Sequence, residues 1–213
     1  MAESFANRDG RIIVEQLIET IRQHKAYLSE IDGAIGDGDH GVNMAKGFSL
    51  TSERLTSAMD LAEALQTLGR TLVTEIGGAM GPLYGSLFKA LAKACQGQES
   101  IDAPLFAEML KAGLAAVVEL GQARAGDKTL VDTLEPAVRG YSAALAGGSG
   151  FRECLRRMAE EAASGKESTR EMTAKVGRAS RLGERSKGVV DAGAASCHLI
   201  LKSLAETIST RLL

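Results

Sequence analysis

The stretch at residues 35–44, IGDGDHGVNM, together with Asp32 just before it, decides how the rest of the chain is interpreted. It brings three carboxylates into a short segment and separates them with glycines. Glycines at this density disfavour helix and strand interiors, so the stretch predicts a tight loop. If Asp32, Asp37 and Asp39 converge to within about 5 Å, each pair repels by roughly 3 kcal/mol. A cation would relieve that repulsion, and ligation by carboxylate oxygens favours Mg²⁺ over Zn²⁺.

Three other interpretations compete with a metal site in this loop. Residues 36–41 also spell G-x-G-x-x-G, but no β-branched strand precedes them and the two acids inside the loop would repel a pyrophosphate. An EF-hand loop is excluded because its twelfth position, which requires a bidentate Glu, is Phe48. A solvent-exposed acidic turn, with one Asp capping a helix, remains as the alternative.

Composition indicates one globular domain without a nucleic-acid or membrane partner. The 213 residues are 45% hydrophobic but only 4% aromatic, so aliphatic residues and Met must fill most of the core. The net charge of −2 argues against a nucleic-acid surface. No apolar run approaches the roughly 20 residues of a membrane span, and the polar start MAESFANRDG does not resemble a signal peptide. The widely spaced Cys95, Cys154 and Cys197 predict a reduced, cytoplasmic protein that buries each thiol as a small hydrophobic group.

Helical periodicity covers most of the chain, and no segment shows a convincing strand alternation. The first predicted helix is capped by Asp9 and continues past Leu28. Asp60 with Glu63 predicts a capping box, and Asp102 opens a further helix. The other predicted helices begin near Asn43, Pro82, Leu130, Phe151 and Ala194. The prediction is therefore an all-α fold of about eight helices in a single domain, residues 1–213.

The joints between the predicted helices are of two kinds. Joints two, four and six are ordinary polar connections, whereas the other joints are rich in glycine and charge. These glycine-rich joints read IGDGDHG, GGAMGPLYG, GQARAGDKT and GRASRLGERSKGVVDAG. In an up-and-down arrangement alternate loops lie at the same end, so we expect the four glycine-rich loops to meet at one rim.

Such a rim carries the groups that polyphosphate chemistry needs. GGAMG offers backbone amides at the start of a helix, and the last loop offers arginines near Asp191. Metal, amides and arginine together indicate phosphoryl transfer. Taken singly, GGAMGP also fits a helix C-cap, and the arginines also fit a solvated turn. GQARAGDKT is not a P-loop, because Asp127 precedes Lys128 and no strand leads into it.

The four loops resemble those of the L subunits of dihydroxyacetone kinases. The motifs AIGDGDHGVNMAKGF, GGAMGPLYG, GDKTLVD and GRASRLGERS followed by DAGA occur in the family's order, and the likeness covers nearly the whole chain. The resemblance implies an antiparallel eight-helix barrel that holds ADP or ATP at one end through two Mg²⁺ ions.

Matched motif by motif, the resemblance also implies a set of site residues. Asp32, Asp37 and Asp39 are the implied metal ligands, and Arg178 and His40 are the implied catalytic residues. The residues that it implies for nucleotide binding are His40, Gly41, Val42, Asn43, Ala79, Met80, Gly121, Leu130, Arg178, Asp191, Ala192 and Gly193. Met80 departs from a frequent small hydroxyl residue, and Ala192 departs from a frequent Pro.

The resemblance further implies partners. A separate K subunit would hold the ketose. In one branch of the family a phosphotransferase-system protein recharges the bound ADP, and in another ATP exchanges. These residues leave both branches open, along with the choice between dihydroxyacetone and a ketose such as erythrulose, and a homodimer. A nucleotide-state sensor that contacts a transcription regulator is the alternative function.

Overall fold

Helices form most of the chain that the computed structural model describes, which is residues 3–213. In chain order they are α1 (Arg11–Gln23), α2 (Lys25–Ile35), α3 (His40–Ser52), α4 (Leu61–Glu75), α5 (Met80–Cys95), α6 (Ala103–Gly121), α7 (Val131–Ala146), α8 (Phe151–Ser168) and α9 (Ala192–Thr207). Short 3-10 segments cover Asn7–Asp9, Thr169–Glu171 and Arg178–Ser186, and a π-helical turn covers Ile208–Leu212. The all-α prediction is confirmed. The predicted domain starts at residue 1, so its first two residues lie outside the described part.

The helices form a ring that closes on itself. From α3 to α9 each helix packs against the next, and α9 packs against α1 and α2, which in turn contact α3. The interior is filled mainly by Leu, Ile, Val, Ala and Met, as the low aromatic content required. Cys95, Cys154 and Cys197 are free and fully buried, which confirms that they serve as small hydrophobic groups. Among the described residues, every helix is too short or too polar to cross a bilayer.

The first predicted helix is wrong in two respects. It is broken at His24 into α1 and α2, which gives nine helices in the described chain instead of eight. His24 Nδ1 lies 2.8 Å from the carbonyl oxygen of Thr20, a group that the helix backbone also uses, and no Pro or Gly marks the break. Asp9 does not cap α1; it lies in a 3-10 turn, and Gly10 precedes the helix.

Two other helix starts follow the predicted chemistry. The capping box is present at α4, where Asp60 Oδ1 accepts from the N–H of Glu63 at 2.8 Å and Glu63 Oε2 accepts in return at 3.1 Å. Asp102 Oδ1 accepts from the N–H of Leu105 at 2.9 Å and caps α6. These local contacts fix where α4 and α6 begin.

The expectation of no strand is wrong at one place. Strands β1 (Ser4–Ala6) and β2 (Ser100–Asp102) form a two-stranded antiparallel ribbon. Each strand has three residues, too few for an alternation to show in the sequence. Because β2 leads directly into α6, and α6 ends at a glycine-rich loop, the ribbon lies at the end of the ring opposite those loops.

Candidate functional site

The four glycine-rich loops meet around one cavity of about 780 Å³. This confirms the inference that alternate joints share a rim. The cavity lies in the size range of small-ligand sites. The predicted site residues that line it are Asp32, Asp37, Asp39, His40, Asn43, Ala79, Met80, Gly121, Leu130, Arg178, Asp191, Ala192 and Gly193. Gly41 and Val42 are not among the lining residues.

An acidic cluster forms one end of the cavity. Asp32 lies in the last turn of α2, and Asp37 and Asp39 lie in the loop that leads to α3. One oxygen of each carboxylate lies within 4.8 Å of the others. The guanidinium of Arg178 contacts Asp37 and lies 3.6 Å from Asp39 Oδ2. Three acids face one cation, so the cluster keeps an excess of negative charge.

The donor set of this cluster fits Mg²⁺. All three groups are carboxylates, hard oxygen donors of the kind that Mg²⁺ prefers. Asp37 and Asp39 are each 47% exposed, so they also face water, which Mg²⁺ usually retains in its coordination sphere. Asp32 is already oriented, because its Oδ2 accepts from the backbone N–H of His40 at 3.2 Å. We infer that these three residues would hold the ion.

A buried polar network fixes His40 beside the acids. His40 Nε2 lies 2.9 Å from Ser196 Oγ, which lies 2.6 Å from the hydroxyl of Tyr84. That hydroxyl donates to the carbonyl of Gly193 at 3.0 Å. Burial lowers the pKa of His40 to about 4 despite the opposing charge of Asp32, so the imidazole is neutral near pH 7. Nδ1 is the ring nitrogen that Ser196 does not engage.

Gly41 and Val42 lie on α3 outside the lining of the cavity. Gly41 is buried where α3 crosses α2; a Cβ there would lie 2.1 Å from the carbonyl oxygen of Lys25 and 2.8 Å from the amide nitrogen of Ser29. Val42 is 47% exposed on the surface of α3. Gly41 therefore permits the close helix approach that brings Asp32 towards Asp39.

Gly41→Ala is expected to destabilise the fold by about 1–3 kcal/mol, because overpacking against backbone cannot be relieved by a rotamer change. Gly33→Ala on α2 is the matched control. Its Cβ would meet only Gly38 Cα, at 3.8 Å, so we expect a gain of about 0.5–1 kcal/mol. Urea unfolding measures both variants. A Gly41→Ala protein as stable as wild type would show that α2 and α3 are not closely packed.

The start of α5 offers backbone donors to an anion. The helix begins at Met80, two residues before the predicted start, and no side chain caps it. Pro82 has no N–H, so the amides of the first turn belong to Met80 and Gly81. Gly77, Gly78, Ala79 and Met80 line the cavity. A free N-terminus of a 16-residue helix beside an acidic metal cluster is suited to a metal-bound phosphate.

The other end of the cavity is mostly apolar. Its walls are Leu83, Val117, Leu120, Gly121, Ala123, Leu130 and Val131, from the first turn of α5, the end of α6 and the start of α7. Asp191 borders it but has a structural role, since its Oδ2 accepts from the N–H of Ala194 at 2.8 Å and caps α9. Burial raises the pKa of Asp191 to about 6, while the Ala194 amide and Lys128 oppose the shift.

Three residues in or behind the cavity wall were not anticipated from the sequence, and two of them, Tyr84 and Lys128, line the cavity. Tyr84 and Ser196 form the His40 network, and Lys128, set aside with the P-loop interpretation, lines the cavity with a fully buried side chain. Ser196 is a serine within an apolar helical stretch, a weak signal for a buried hydrogen bond. Lys128 had no such signal, because its partners are distant in the sequence.

Residues 34–206 match the family model described as the DAK2 domain. The chain belongs to the DAK2 domain family. The match begins two residues after Asp32 and contains all four glycine-rich loops entirely. The resemblance stated from the motifs is thereby confirmed, and the DAK2 domain accounts for most of the helical ring.

The relatives of this DAK2 domain include subunits of dihydroxyacetone kinases. The chain is 40% identical over 191 residues to the ADP-binding subunit DhaL of PEP-dependent dihydroxyacetone kinase 1 of Listeria innocua, covering 89% of this chain and 90% of that protein. It is 38% identical to the ADP-binding subunit DhaL of the PTS-dependent dihydroxyacetone kinase of Lactococcus lactis, covering 90% and 92%.

A solved structure extends the likeness to three dimensions. The dihydroxyacetone kinase from C. freundii in complex with AMP-PNP and Mg²⁺ superimposes with a TM-score of 0.69 and 28% identity. The likeness covers 97% of this chain but 35% of that one, so this DAK2 domain corresponds to about a third of the longer enzyme.

Proposed function

We propose that this chain is the nucleotide-binding L subunit of a dihydroxyacetone kinase, which passes a phosphoryl group from a Mg-bound nucleotide to a ketose held on a separate K subunit. The observation that carries the proposal is the meeting of four loops in one cavity. Those loops supply an acidic cluster, free helix amides, an arginine and an apolar wall. The two relatives from Listeria innocua and Lactococcus lactis are named as ADP-binding subunits of dihydroxyacetone kinases.

Each part of the cavity has a task in this proposal. The apolar end takes the base, the backbone amides of Ala79 and Met80 donate to phosphate oxygens, and Asp32, Asp37 and Asp39 would hold the metal. Mg²⁺, when bound, neutralises phosphate charge. Arg178 extends from the last loop and donates to the phosphoryl group that is transferred. His40, held neutral by burial, adds no positive charge of its own.

Two Mg²⁺ ions, a K-subunit partner and a cytoplasmic location complete the proposal. Three carboxylates offer enough oxygens for two ions, and the free, buried cysteines suit a reducing compartment. The donor is either a phosphotransferase-system protein or exchanging ATP; a relative named PTS-dependent supports the first. A homodimer stays a prediction for a sizing experiment.

The test is a reconstitution with purified components. The chain alone, a K subunit alone and the two together are each given dihydroxyacetone or erythrulose with Mg-ATP, or with ADP and a phosphoenolpyruvate-charged phosphotransferase system. We expect sugar phosphate only when both proteins are present, because an open metal–nucleotide rim needs a partner surface to exclude water. Mg-ADP should also raise the melting temperature of the isolated chain.

Two results would contradict the proposal. Rapid turnover by the isolated chain would show a complete kinase. Tight Mg-nucleotide binding without turnover in any mixture would favour the sensor function, which capture of a DNA-binding regulator from extract would then test.

A further inference from the structure

Residues 172–189, which we call the strap, connect the 3-10 turn Thr169–Glu171 to the residues just before α9. The strap contributes Val176, Gly177, Arg178 and Ala179 to the cavity. Only Ala174 and Ser186 are buried within it, so little apolar packing holds it in place. Something other than a hydrophobic contact must therefore determine where Arg178 stands.

Lys128 closes the base of the strap. Its side chain is 2% exposed, and its Nζ donates to the carbonyl oxygens of Met172 at 3.1 Å, Ser186 at 2.6 Å and Val189 at 2.7 Å. The first carbonyl lies at the beginning of the strap and the other two lie at its end. One ammonium group thus joins both ends of an 18-residue segment, and its three N–H donors are all used.

Both the backbone conformation and the burial of Lys128 are energetically unfavourable. Lys128 has a φ of +63°, a region that L-residues other than Asn and Asp rarely adopt. Burial lowers its pKa, while the nearby charge of Asp191 opposes that shift. A buried ammonium is tolerated when its hydrogen bonds are satisfied, and losing them leaves carbonyls unpaired.

Two further hydrogen bonds hold the base of the strap. The N–H of Lys175 donates to the carbonyl of Asp127 at 3.1 Å, and the N–H of Ala174 donates to Ser186 Oγ at 2.9 Å. Beyond this base the strap turns at Gly177, which has a φ of +72° and open space around it. Arg178 follows at once and reaches the acidic cluster.

We propose that Lys128 is a positioning residue. By hydrogen bonding to both ends of the strap, it determines the position of Arg178 at the phosphate end of the cavity. Lys128 lines the cavity, but its three donors are committed to carbonyls, so it is not itself a phosphate ligand. This proposal rests on the proposed function for its kinetic part. Its structural part concerns the strap alone.

The test compares Lys128→Met with Lys175→Met. Methionine keeps an unbranched apolar chain and removes the donors, while Lys175 is a strap lysine whose side chain is 62% exposed and pairs with Asp127 at 3.5 Å. We expect limited trypsin to cut the isolated Lys128→Met chain after Arg178, Arg181 or Arg185 about tenfold faster than wild type. In the reconstituted two-subunit enzyme kcat should fall by about 10²-fold, the cost of misplacing one group. Lys175→Met should change neither rate.

A double variant separates positioning from general damage. If Lys128 acts through Arg178, Lys128→Met combined with Arg178→Ala should be no slower than Arg178→Ala alone. Multiplying losses, or a Lys128→Met protein with wild-type trypsin resistance and kcat, would overturn the proposal. Circular dichroism checks folding, and Lys128→Gln, which keeps two N–H donors, replaces Lys128→Met if that variant does not fold. If the wild-type mixture shows no kinase activity, the proposed function fails, and the trypsin comparison still decides whether Lys128 holds the strap.

Discussion

Asp37→Asn and Asp39→Asn are each expected to abolish tight binding of Mg-nucleotide while the helices stay formed. The carboxylates of these residues and Asp32 lie within 4.8 Å of one another and face a single guanidinium, so each charge contributes to holding a cation. Loss of a residue that only orients a metal ligand costs about 10–100-fold in affinity, so loss of a direct ligand should exceed about 100-fold. Calorimetric titration with Mg-ADP measures the change.

The control for net charge is Glu30→Gln. Glu30 is exposed on α2 but is not part of the acidic cluster. The Glu30→Gln protein should bind Mg-ADP with the same affinity as wild type. Because Asp37 and Asp39 are half exposed, their variants should keep the wild-type helical spectrum. Unchanged Mg-ADP affinity in both Asp variants would rule out the metal assignment.

Arg178→Ala is expected to slow phosphoryl transfer far more than it weakens nucleotide binding. Arginines that contact the transferred phosphoryl group contribute about 10³–10⁵ in rate. Arg178 is 57% exposed and already engaged by two acids, so we expect a smaller loss of about 10²–10³ in kcat. Single-turnover kinetics of the reconstituted enzyme, beside calorimetry of the isolated chain, separates the two effects.

Two further variants serve as controls for that measurement. Arg181 lies in the same 3-10 segment as Arg178 but does not line the cavity. Arg181→Ala should therefore leave the rate of phosphoryl transfer unchanged. Arg178→Lys keeps the charge but loses the planar fork of donors, so it should recover only part of the rate. Wild-type turnover in Arg178→Ala would make Arg178 a surface residue of its loop.

The features predicted correctly from the sequence are those that depend on chain order or on neighbours within one turn. The Asp60–Glu63 capping box joins residues three positions apart, and glycine-rich loops at alternate joints must share an end in an up-and-down ring. The carboxylates of the acidic cluster are close in the chain, so their convergence could also be predicted from the sequence.

The features that escaped prediction depend on contacts between distant segments. Tyr84 and Ser196 are 112 residues apart, and Lys128 reaches carbonyls 44 to 61 residues away. Neither interaction has a local pattern, because an ordinary Tyr, Ser or Lys becomes functional only when the ring of helices brings its partner near. The break at His24 has a different origin, because its contact with Thr20 is only four residues away, but no Pro or Gly marks it in the sequence.

The closed ring of helices has a consequence for how a ligand enters and leaves. Enzymes with two lobes open by rotation about a hinge, but a ring in which each helix packs against its neighbours on both sides has no seam along which it can part. A ligand must therefore enter and leave through the loops of one rim, and the longest of these includes the strap. We therefore expect the residence time of a nucleotide to depend on movement of these loops and not on separation of the helices.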